Sequence, residues 1–235
     1  MVSLQEQLDN LVKMLDDEKD LVKRDMINRA KAEVLEELKP STKEEIIYFL
    51  EDTIDFIPEG FSKSDENIKA VVLTGRRSLM EYNKLQRHPI PYCIVKFGEE
   101  YFFTLRKDKS GEIRLIGKKG LLGGHVGKED IFKNGSKVDI SNTLRNGMFR
   151  ELEEEAGITK DLINNIEYKG LIKLQEGVEK DHLGVIYEIT LNTKDIQALE
   201  KGVLDGIWIN KYQLPLQYDS LETWAKLIYH NIILN

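Results

Sequence analysis

Apolar residues recur every three to four positions through the first part of the chain. Residues 1–39 contain no Gly and no Pro and are densely charged. The apolar positions of this segment are Leu4, Leu8, Leu11, Leu15 and Val22. Their spacing predicts a helix with one apolar stripe. A helix of this length would reach roughly 55 Å, too long to pack fully on a small domain, so two interpretations stay open: a local helical hairpin and an arm that joins two chains.

A second helix is predicted directly after Pro40. The sequence Ser41-Thr42-Lys43-Glu44 has the pattern of a capping box. The residues that would share one face are Ile46, Ile47, Leu50 and Ile54. The two helices would then form an αα-hairpin. A polar, linker-like stretch around Pro58 and Gly60 predicts a boundary between an N-terminal helical extension, residues 1–65, and a main domain, residues 66–235.

Beyond residue 66 the apolar pattern changes to short runs of strand character broken by turns. The predicted strands include residues 91–97, 101–107, 166–175, 182–191 and 206–210. One helix is predicted inside this series, over residues 141–156, and another closes the chain after residue 220. Strands that alternate with helices in this way indicate a sheet covered by helices, and hence an α+β fold.

The charge balance narrows the classes of partner. The chain has 235 residues, with Lys+Arg 34 against Asp+Glu 41 and a net charge of −7, which argues against a broad basic surface for a nucleic-acid polymer or an anionic membrane. No apolar run approaches the ~20 residues that span a bilayer. The N-terminus lacks the basic start and apolar core of a signal peptide, so a cytoplasmic location is expected.

Cysteine and histidine give little sign of a metal site. Cys93 is the only cysteine and lies in an apolar run, where a small buried side chain is the expected role. His88, His182 and His230 show no mutual ligand spacing, so a structural role is expected for them. His125 follows a pair of glycines and is a candidate for contact with phosphate.

The segment Arg150-Glu151-Leu152-Glu153-Glu154-Glu155-Ala156-Gly157-Ile158 carries the clearest chemical signal. Positions three and four apart share a helix face, so Glu151, Glu154 and Glu155 are expected to project together. Arg150 can reach Glu154 but cannot neutralise all three acids. Hard oxygen donors without His or Cys suit Mg²⁺ or Mn²⁺, although most acidic helix faces are simply solvated.

This segment resembles the signature of the Nudix hydrolases, G-x(5)-E-x(7)-R-E-U-x-E-E-x-G-U, where U is a bulky aliphatic residue. The second half of the signature matches from Arg150 to Ile158, and the resemblance extends over roughly residues 90–235. The first half departs from the pattern, because about twelve residues are inserted between Gly124 and Arg150. The expected glutamate falls on Asp130 when counted from Gly124 and on Asn142 when counted from Arg150, so it is missing from its place.

The resemblance implies a fold, a cofactor and a set of roles. The fold is a Nudix-type α/β/α sandwich with a mixed sheet, preceded by the helical extension. Glu151, Glu154 and Glu155 would ligate Mg²⁺ (or Mn²⁺), with the backbone carbonyl near Gly124 as a further ligand. Arg150 would orient the glutamates. Gly123, Gly124 and His125 would bind substrate, and Glu179, on a later loop, is the marginal choice among several acids for the general base.

The implied activity is hydrolysis of a diphosphate bond in a nucleoside-diphosphate-linked substrate, by attack of a metal-activated water on phosphorus. The substrate would be a nucleotide-like small molecule, and a homodimer is one option. An alternative from another class is a non-catalytic Nudix-fold module that binds a nucleotide and uses its N-terminal helices for dimerisation or partner binding. The inserted residues favour that alternative, and the complete Arg150–Ile158 half opposes it.

Overall fold

The structure is a computed structural model that describes residues 4–18, 20–38, 44–80, 85–107, 117–177, 179–199 and 204–234. Its helices and strands are, in chain order, α1 (Leu4–Asp17), α2 (Leu21–Leu38), β1 (Glu45–Leu50), β2 (Gly60–Ser62), β3 (Val72–Arg76), α3 (Arg77–Met80), β4 (Gln86–Phe97), β5 (Glu100–Arg106), β6 (Lys119–Gly120), β7 (Leu122–Gly123), β8 (Lys133–Asn134), β9 (Lys137–Val138), α4 (Ile140–Ala156), β10 (Ile163–Lys173), β11 (His182–Leu191), β12 (Leu204–Asn210), α5 (Leu214–Gln217) and α6 (Thr223–Ile228).

A mixed sheet forms the centre of the molecule. Its main path runs β12-β5-β4-β11-β10-β2. The pair β4 and β11 is parallel, with His88 opposite His182, and the other pairs along this path are antiparallel. The short strand β7 adds to β4 and carries the chain towards α4.

Helices cover both faces of the sheet. Alternating residues of β4 point to opposite sides, as a pleated strand requires: Cys93 and Val95 belong to the core under α4, and Ile94 belongs to the core under α6. Both cores are lined by residues that are almost fully buried. The mixed sheet between helices confirms the predicted α+β fold, and α1 and α2 confirm a helical segment at the N-terminus.

The N-terminal segment differs from the prediction in two ways. The expected single helix is two helices, since α1 ends at Asp17 and α2 begins at Leu21, and α1 packs against α2. The expected second helix is wrong, because residues 45–50 form β1, which pairs with β3 and β4. The Ile46-Ile47 pair satisfied a helical spacing, but β-branched residues also suit a buried strand, and pairing with the sheet decides between the two. Residues 39–43, with most of the proposed capping box, lie outside the described residues.

Strands β1 and β2 both lie before residue 66 and both join the sheet. β2 pairs with β10, and Glu51, just after β1, forms ion pairs with Arg87 of β4 and Lys173 of β10. The expected boundary at residue 66 therefore does not coincide with a break in the sheet. Among the described residues, no helix combines the length and apolar character needed to cross a bilayer.

Candidate active site

Helix α4 presents the acidic residues at the edge of the core. It begins after Asp139, whose side chain accepts a hydrogen bond from the Asn142 amide at 3.0 Å, and it ends at Gly157, which takes a left-handed conformation with φ 63°. This agrees with the helix predicted over 141–156. Leu144, Met148 and Leu152 are fully buried against the sheet, so their packing sets how the neighbouring, acidic face of the helix is directed.

Arg150 is the hub of this face. Its Nη1 atom donates to Glu151 and Glu154, each at 2.9 Å, and its Nη2 atom donates to Asp130 at 2.9 Å and to the backbone carbonyl of His125 at 2.8 Å. Burial lowers the pKa of Arg150, but the Asp130 hydrogen bonds and the Glu151 charge outweigh it, and the net pKa rises above its ordinary value. The guanidinium is therefore permanently charged and orients two of the three predicted glutamates.

Asp130 supplies a carboxylate at the position where the signature has its first glutamate. It is buried, its carboxylate accepts from Arg150 and from the Gly127 amide, and it ends the short helical turn Lys128–Asp130. From the sequence alone this carboxylate could not be assigned, because counting from Gly124 leads to Asp130 and counting back from Arg150 leads to Asn142. The structure places the inserted residues after Asp130, where they include the β8–β9 hairpin, so Asp130 still reaches Arg150.

Glu151 packs against the backbone of Gly124. A Cβ atom at residue 124 would overlap the Glu151 carboxylate, so only glycine allows this contact. Burial raises the pKa of the Glu151 carboxyl to about 7, against the opposing charge of Arg150. The site thus brings together two of the predicted metal-ligating residues, Glu151 and Gly124.

Glu155 contacts the same loop one residue earlier. Its Oε2 atom accepts a hydrogen bond from the Gly123 amide at 2.9 Å. Gly123 has φ 155°, and a side chain there would overlap the carbonyl of Pro91. Two glycines therefore allow β7 and the following residue to lie between β4 and the acidic face of α4. Glu154, by contrast, has 59% of its side chain exposed, so it stands at the rim.

Glu179 lies in the turn that leads into β11. It is half-buried, and its backbone carbonyl accepts from the His182 amide at 3.0 Å. Its role as general base remains a prediction.

Sequence reasoning missed a cluster of three histidines. His88 at the start of β4, His182 at the start of β11 and His125 after β7 each offer a ring nitrogen within 4.8 Å of the others. The Nε2 atoms of His125 and His182 are 3.3 Å apart. A structural role was expected for His88, His182 and His230, and His125 was a candidate for phosphate contact. His88 and His182 lie far apart in sequence, and the parallel β4–β11 register places them opposite each other, whereas His230 lies outside the cluster.

The acidic face of α4 carries three candidate oxygen donors. Glu151 and Glu155 lie beside Gly124 and Gly123, whereas Glu154 contacts Arg150 at the rim. Among the described residues, the three carboxylates do not form a group whose ligand atoms all lie within 4.8 Å of one another. Oxygen donors of this kind suit Mg²⁺ or Mn²⁺, whereas the three imidazoles next to them suit softer ions.

The chain is similar to several known proteins. It is 30% identical to protein YmaB of Bacillus subtilis strain 168 over 166 residues, and the aligned region covers 68% of this chain and 78% of YmaB. The crystal structure of Tm1382, a candidate Nudix hydrolase, superposes with a TM-score of 0.65 at 20% identity over 81% of this chain and 99% of that one. The Nudix domain of Shewanella oneidensis NrtR, solved with ADP ribose, gives a TM-score of 0.40 at 16% identity over 55% of this chain and 77% of that one. No family model matches the chain.

Proposed function

Because the chain belongs to the family of the Bacillus subtilis protein YmaB and has the fold of the Nudix superfamily, we propose that it is a Mg²⁺-dependent hydrolase, with Mn²⁺ as the alternative ion, that cleaves the diphosphate bond of a nucleoside-diphosphate-linked substrate. The observation that carries the proposal is the convergence of Glu151 and Glu155 on the Gly123–Gly124 backbone, with Arg150 holding Glu151 and Glu154 from behind.

Each residue of this face has a separate task in the proposal. Glu151, Glu154 and Glu155 hold the cation, together with the carbonyl near Gly124. Arg150 fixes the glutamate rotamers and does not contact substrate, because its donors are occupied by Asp130, Glu151, Glu154 and the His125 carbonyl. The bound ion would supply an activated water and neutralise charge on the phosphate oxygens.

The substrate would approach over the glycine loop. Gly123 and Gly124 are kept as proposed substrate-binding residues because they lie beside the glutamates; Pro91 and Glu151 occupy the side-chain space at these two positions, so the phosphate oxygens would reach the loop through the ion that the glutamates hold. His125 follows in the same loop, and its ring turns into the histidine cluster. Glu179 is kept as the proposed general base, because its turn ends at His182, which contacts the His125 ring.

The direct test is turnover against a panel of substrates. The purified chain is incubated with Mg²⁺ and nucleoside triphosphates, nucleotide sugars, dinucleoside polyphosphates and ADP-ribose, and the products are identified by mass spectrometry. Glu154→Gln is expected to lower kcat by at least about 100-fold, in the range of lost catalytic groups. Glu153→Gln is the matched control, since Glu153 is exposed and stands beside Glu154 on the same helix.

Two outcomes would count against the enzyme. Nucleotide binding without turnover, unaffected by Glu154→Gln, would favour the non-catalytic binding module. Turnover that survives Glu154→Gln would remove the acidic face from the reaction. For the base, Glu179→Gln is expected to lower kcat while Glu176→Gln, which changes an exposed neighbour, leaves it unchanged.

The homodimer also stays a proposal. If α1 and α2 join two chains, deletion of residues 1–39 will change the oligomeric mass measured by light scattering, from that of two chains to that of one, and leave Mg²⁺ binding intact. An unchanged mass would leave the hairpin with a local role.

A further inference from the structure

We propose that His88, His125 and His182 form a second cation site, specific for a transition metal of the Zn²⁺ class and chemically distinct from the carboxylate site on α4. The three rings come from the starts of two parallel strands and from the loop after β7. One ligand nitrogen of each ring lies within 4.8 Å of the other two.

The separation of the rings fits a zinc centre. Two imidazoles on one tetrahedral Zn²⁺, with Zn–N bonds of about 2.0–2.1 Å, place their nitrogens roughly 3.3 Å apart. The His125 and His182 Nε2 atoms are 3.3 Å apart. The three ligand nitrogens lie no more than 4.8 Å from one another. An ion placed between them would therefore lie at most about 2.8 Å from each nitrogen, and small rotations of the rings would shorten these distances to those of Zn–N bonds.

His88 needs a partner that the described part of the protein does not supply. It is fully buried, and neither ring nitrogen makes a hydrogen bond with a described residue. Burial, together with the neighbouring His182, lowers the pKa of His88 to about 3; the Met80 backbone lies close enough to oppose that shift but does not reach hydrogen-bond geometry with either ring nitrogen. A buried polar group without a partner costs free energy, and a bound cation would satisfy it.

A carboxylate beside the cluster orients one of its ligands. An Asp181 carboxylate oxygen lies 3.1 Å from Nδ1 of His182, and Asp181 is itself buried. Such a contact places the hydrogen on Nδ1 and leaves the Nε2 lone pair directed at the cluster, as carboxylate–histidine–zinc arrangements do. Two positive charges, Arg77 and Arg150, act on the His125 ring; Arg77 is paired with Glu44 at 3.1 Å, and Arg150 with Glu151 and Glu154 at 2.9 Å.

The donor set separates the ion from the one proposed on α4. Imidazole nitrogens select Zn²⁺, Co²⁺, Ni²⁺ or Cu²⁺, whereas Mg²⁺ selects oxygen ligands. The described residues supply three nitrogens, which leaves a fourth position for water or an anion, as in zinc sites with three protein ligands. Arg150 donates to the His125 carbonyl, so the new site is joined to the acidic face through one guanidinium.

The test uses Co²⁺ as a spectroscopic probe of the full chain. Protein freed of metal with a chelator is titrated with Co²⁺ in excess Mg²⁺, which occupies the carboxylates. The expected result is one Co²⁺ per chain with the strong visible absorption of a four-coordinate nitrogen site, displaced by an equivalent of Zn²⁺. Elemental analysis after dialysis should then give one Zn²⁺ per chain.

Variants assign the ion to the three rings. His182→Gln is expected to weaken Zn²⁺ binding by more than 100-fold, and Asp181→Asn by about 10- to 100-fold. His230→Gln is the matched control, because His230 is exposed and its ring contacts Tyr218, the residue that follows α5. Circular dichroism checks folding, and His182 is the first choice because its side chain is 21% exposed, so its replacement should be tolerated where His88→Gln is not.

Two results would overturn the proposal. In the first, the wild-type chain does not bind Co²⁺ or Zn²⁺ stoichiometrically. In the second, binding survives both His182→Gln and His125→Gln. Glu154→Gln separates this proposal from the function proposed above: it should abolish turnover but leave the Co²⁺ spectrum unchanged, so each proposal can fail without the other.

Discussion

At the scale of single residues, the candidate site depends on one guanidinium and two glycines. Arg150 makes hydrogen bonds to Asp130, Glu151 and Glu154, and only an Arg side chain has enough donors in a rigid plane to do so. Gly124 leaves the space that the Glu151 carboxylate occupies. Both features hold the carboxylates of a common acidic motif in a defined arrangement.

Arg150→Lys should therefore destabilise the protein and lower its activity. A lysine has one ammonium group in place of the planar guanidinium, so it cannot donate to Asp130, Glu151 and Glu154 at the same time, and the buried Asp130 carboxylate loses hydrogen bonds. The expected cost is about 2 kcal/mol, below the value for a fully buried pair because Arg150 is 26% exposed. Urea unfolding measures it. Arg145→Lys on the same helix, whose partner Glu66 is more exposed to solvent than Asp130, should cost no more than about 1 kcal/mol; equal losses would contradict the role given to Arg150.

Gly124→Ala should lower kcat/KM by about 100-fold, because the new methyl group displaces the Glu151 carboxylate by a distance that matters for catalysis. Steady-state kinetics with the best substrate measure the loss. Gly127→Ala is the control: its Cβ would meet Glu129, whose side chain is 64% exposed and free to move away. A comparable loss in the two variants would show that the loop, and not the Glu151 contact, is at fault.

Cys93 should be inert in the folded protein. Burial raises the pKa of the Cys93 thiol well above its usual value, and the charges of Glu155 and Glu151 add to the shift. Because the thiolate is the reactive form, a thiol reagent at pH 8 should modify Cys93 only after unfolding in denaturant. Rapid modification of the native chain would contradict this burial.

At the scale of elements, local pattern was a good guide to α4 and a poor guide to the N-terminal region. The α4 prediction succeeded because a single apolar ridge and a helix-ending Gly157 both act within one element. The helix predicted after Pro40 failed because the Ile46-Ile47 run fits a strand as well as a helix, and its pairing with β3 and β4 depends on residues far along the chain. The histidine cluster was invisible for the same reason.

The α1–α2 hairpin buries part of the apolar stripe of the N-terminal segment, for which packing within the chain and contact with a second chain were both expected. Leu8 and Leu15 are almost fully buried, whereas Met14 is 55% exposed. Leu15→Ala should cost about 2–4 kcal/mol, while Met14→Ala should stay within about 0.5 kcal/mol. Hydrogen exchange of the amides in α1 and α2 measures both. Equal, small effects would indicate that Leu15 is not packed inside the hairpin.

At the scale of the whole molecule, a buried ion-pair network ties the early strands to the sheet. Glu51 contacts Arg87 at 2.6 Å and Lys173 at 2.7 Å, and both cations are almost fully buried. One carboxylate thus compensates two buried charges on β4 and β10. Residues 44–65 therefore fold with the sheet, although their composition suggested a separate extension and a linker.

Glu51→Gln should accordingly destabilise the whole domain by about 3–5 kcal/mol, because it removes the carboxylate that pairs with both buried cations in the described part of the chain. Glu45→Gln, at the start of β1, is the control, since Glu45 pairs with Lys128 at the surface and should contribute at most about 1 kcal/mol. Calorimetry is the measurement. If Glu51→Gln loosens only residues 44–65 and leaves the main transition unchanged, the early strands are an appendage after all.

The parallel alignment of β4 with β11 has one more consequence. Since His88 stands directly opposite His182, a slip of one residue between these strands would turn one imidazole to the opposite side of the sheet. Binding of Co²⁺ would then require the native alignment of the two strands, so the visible absorption of the bound ion would measure how much of the refolding chain has reached that alignment.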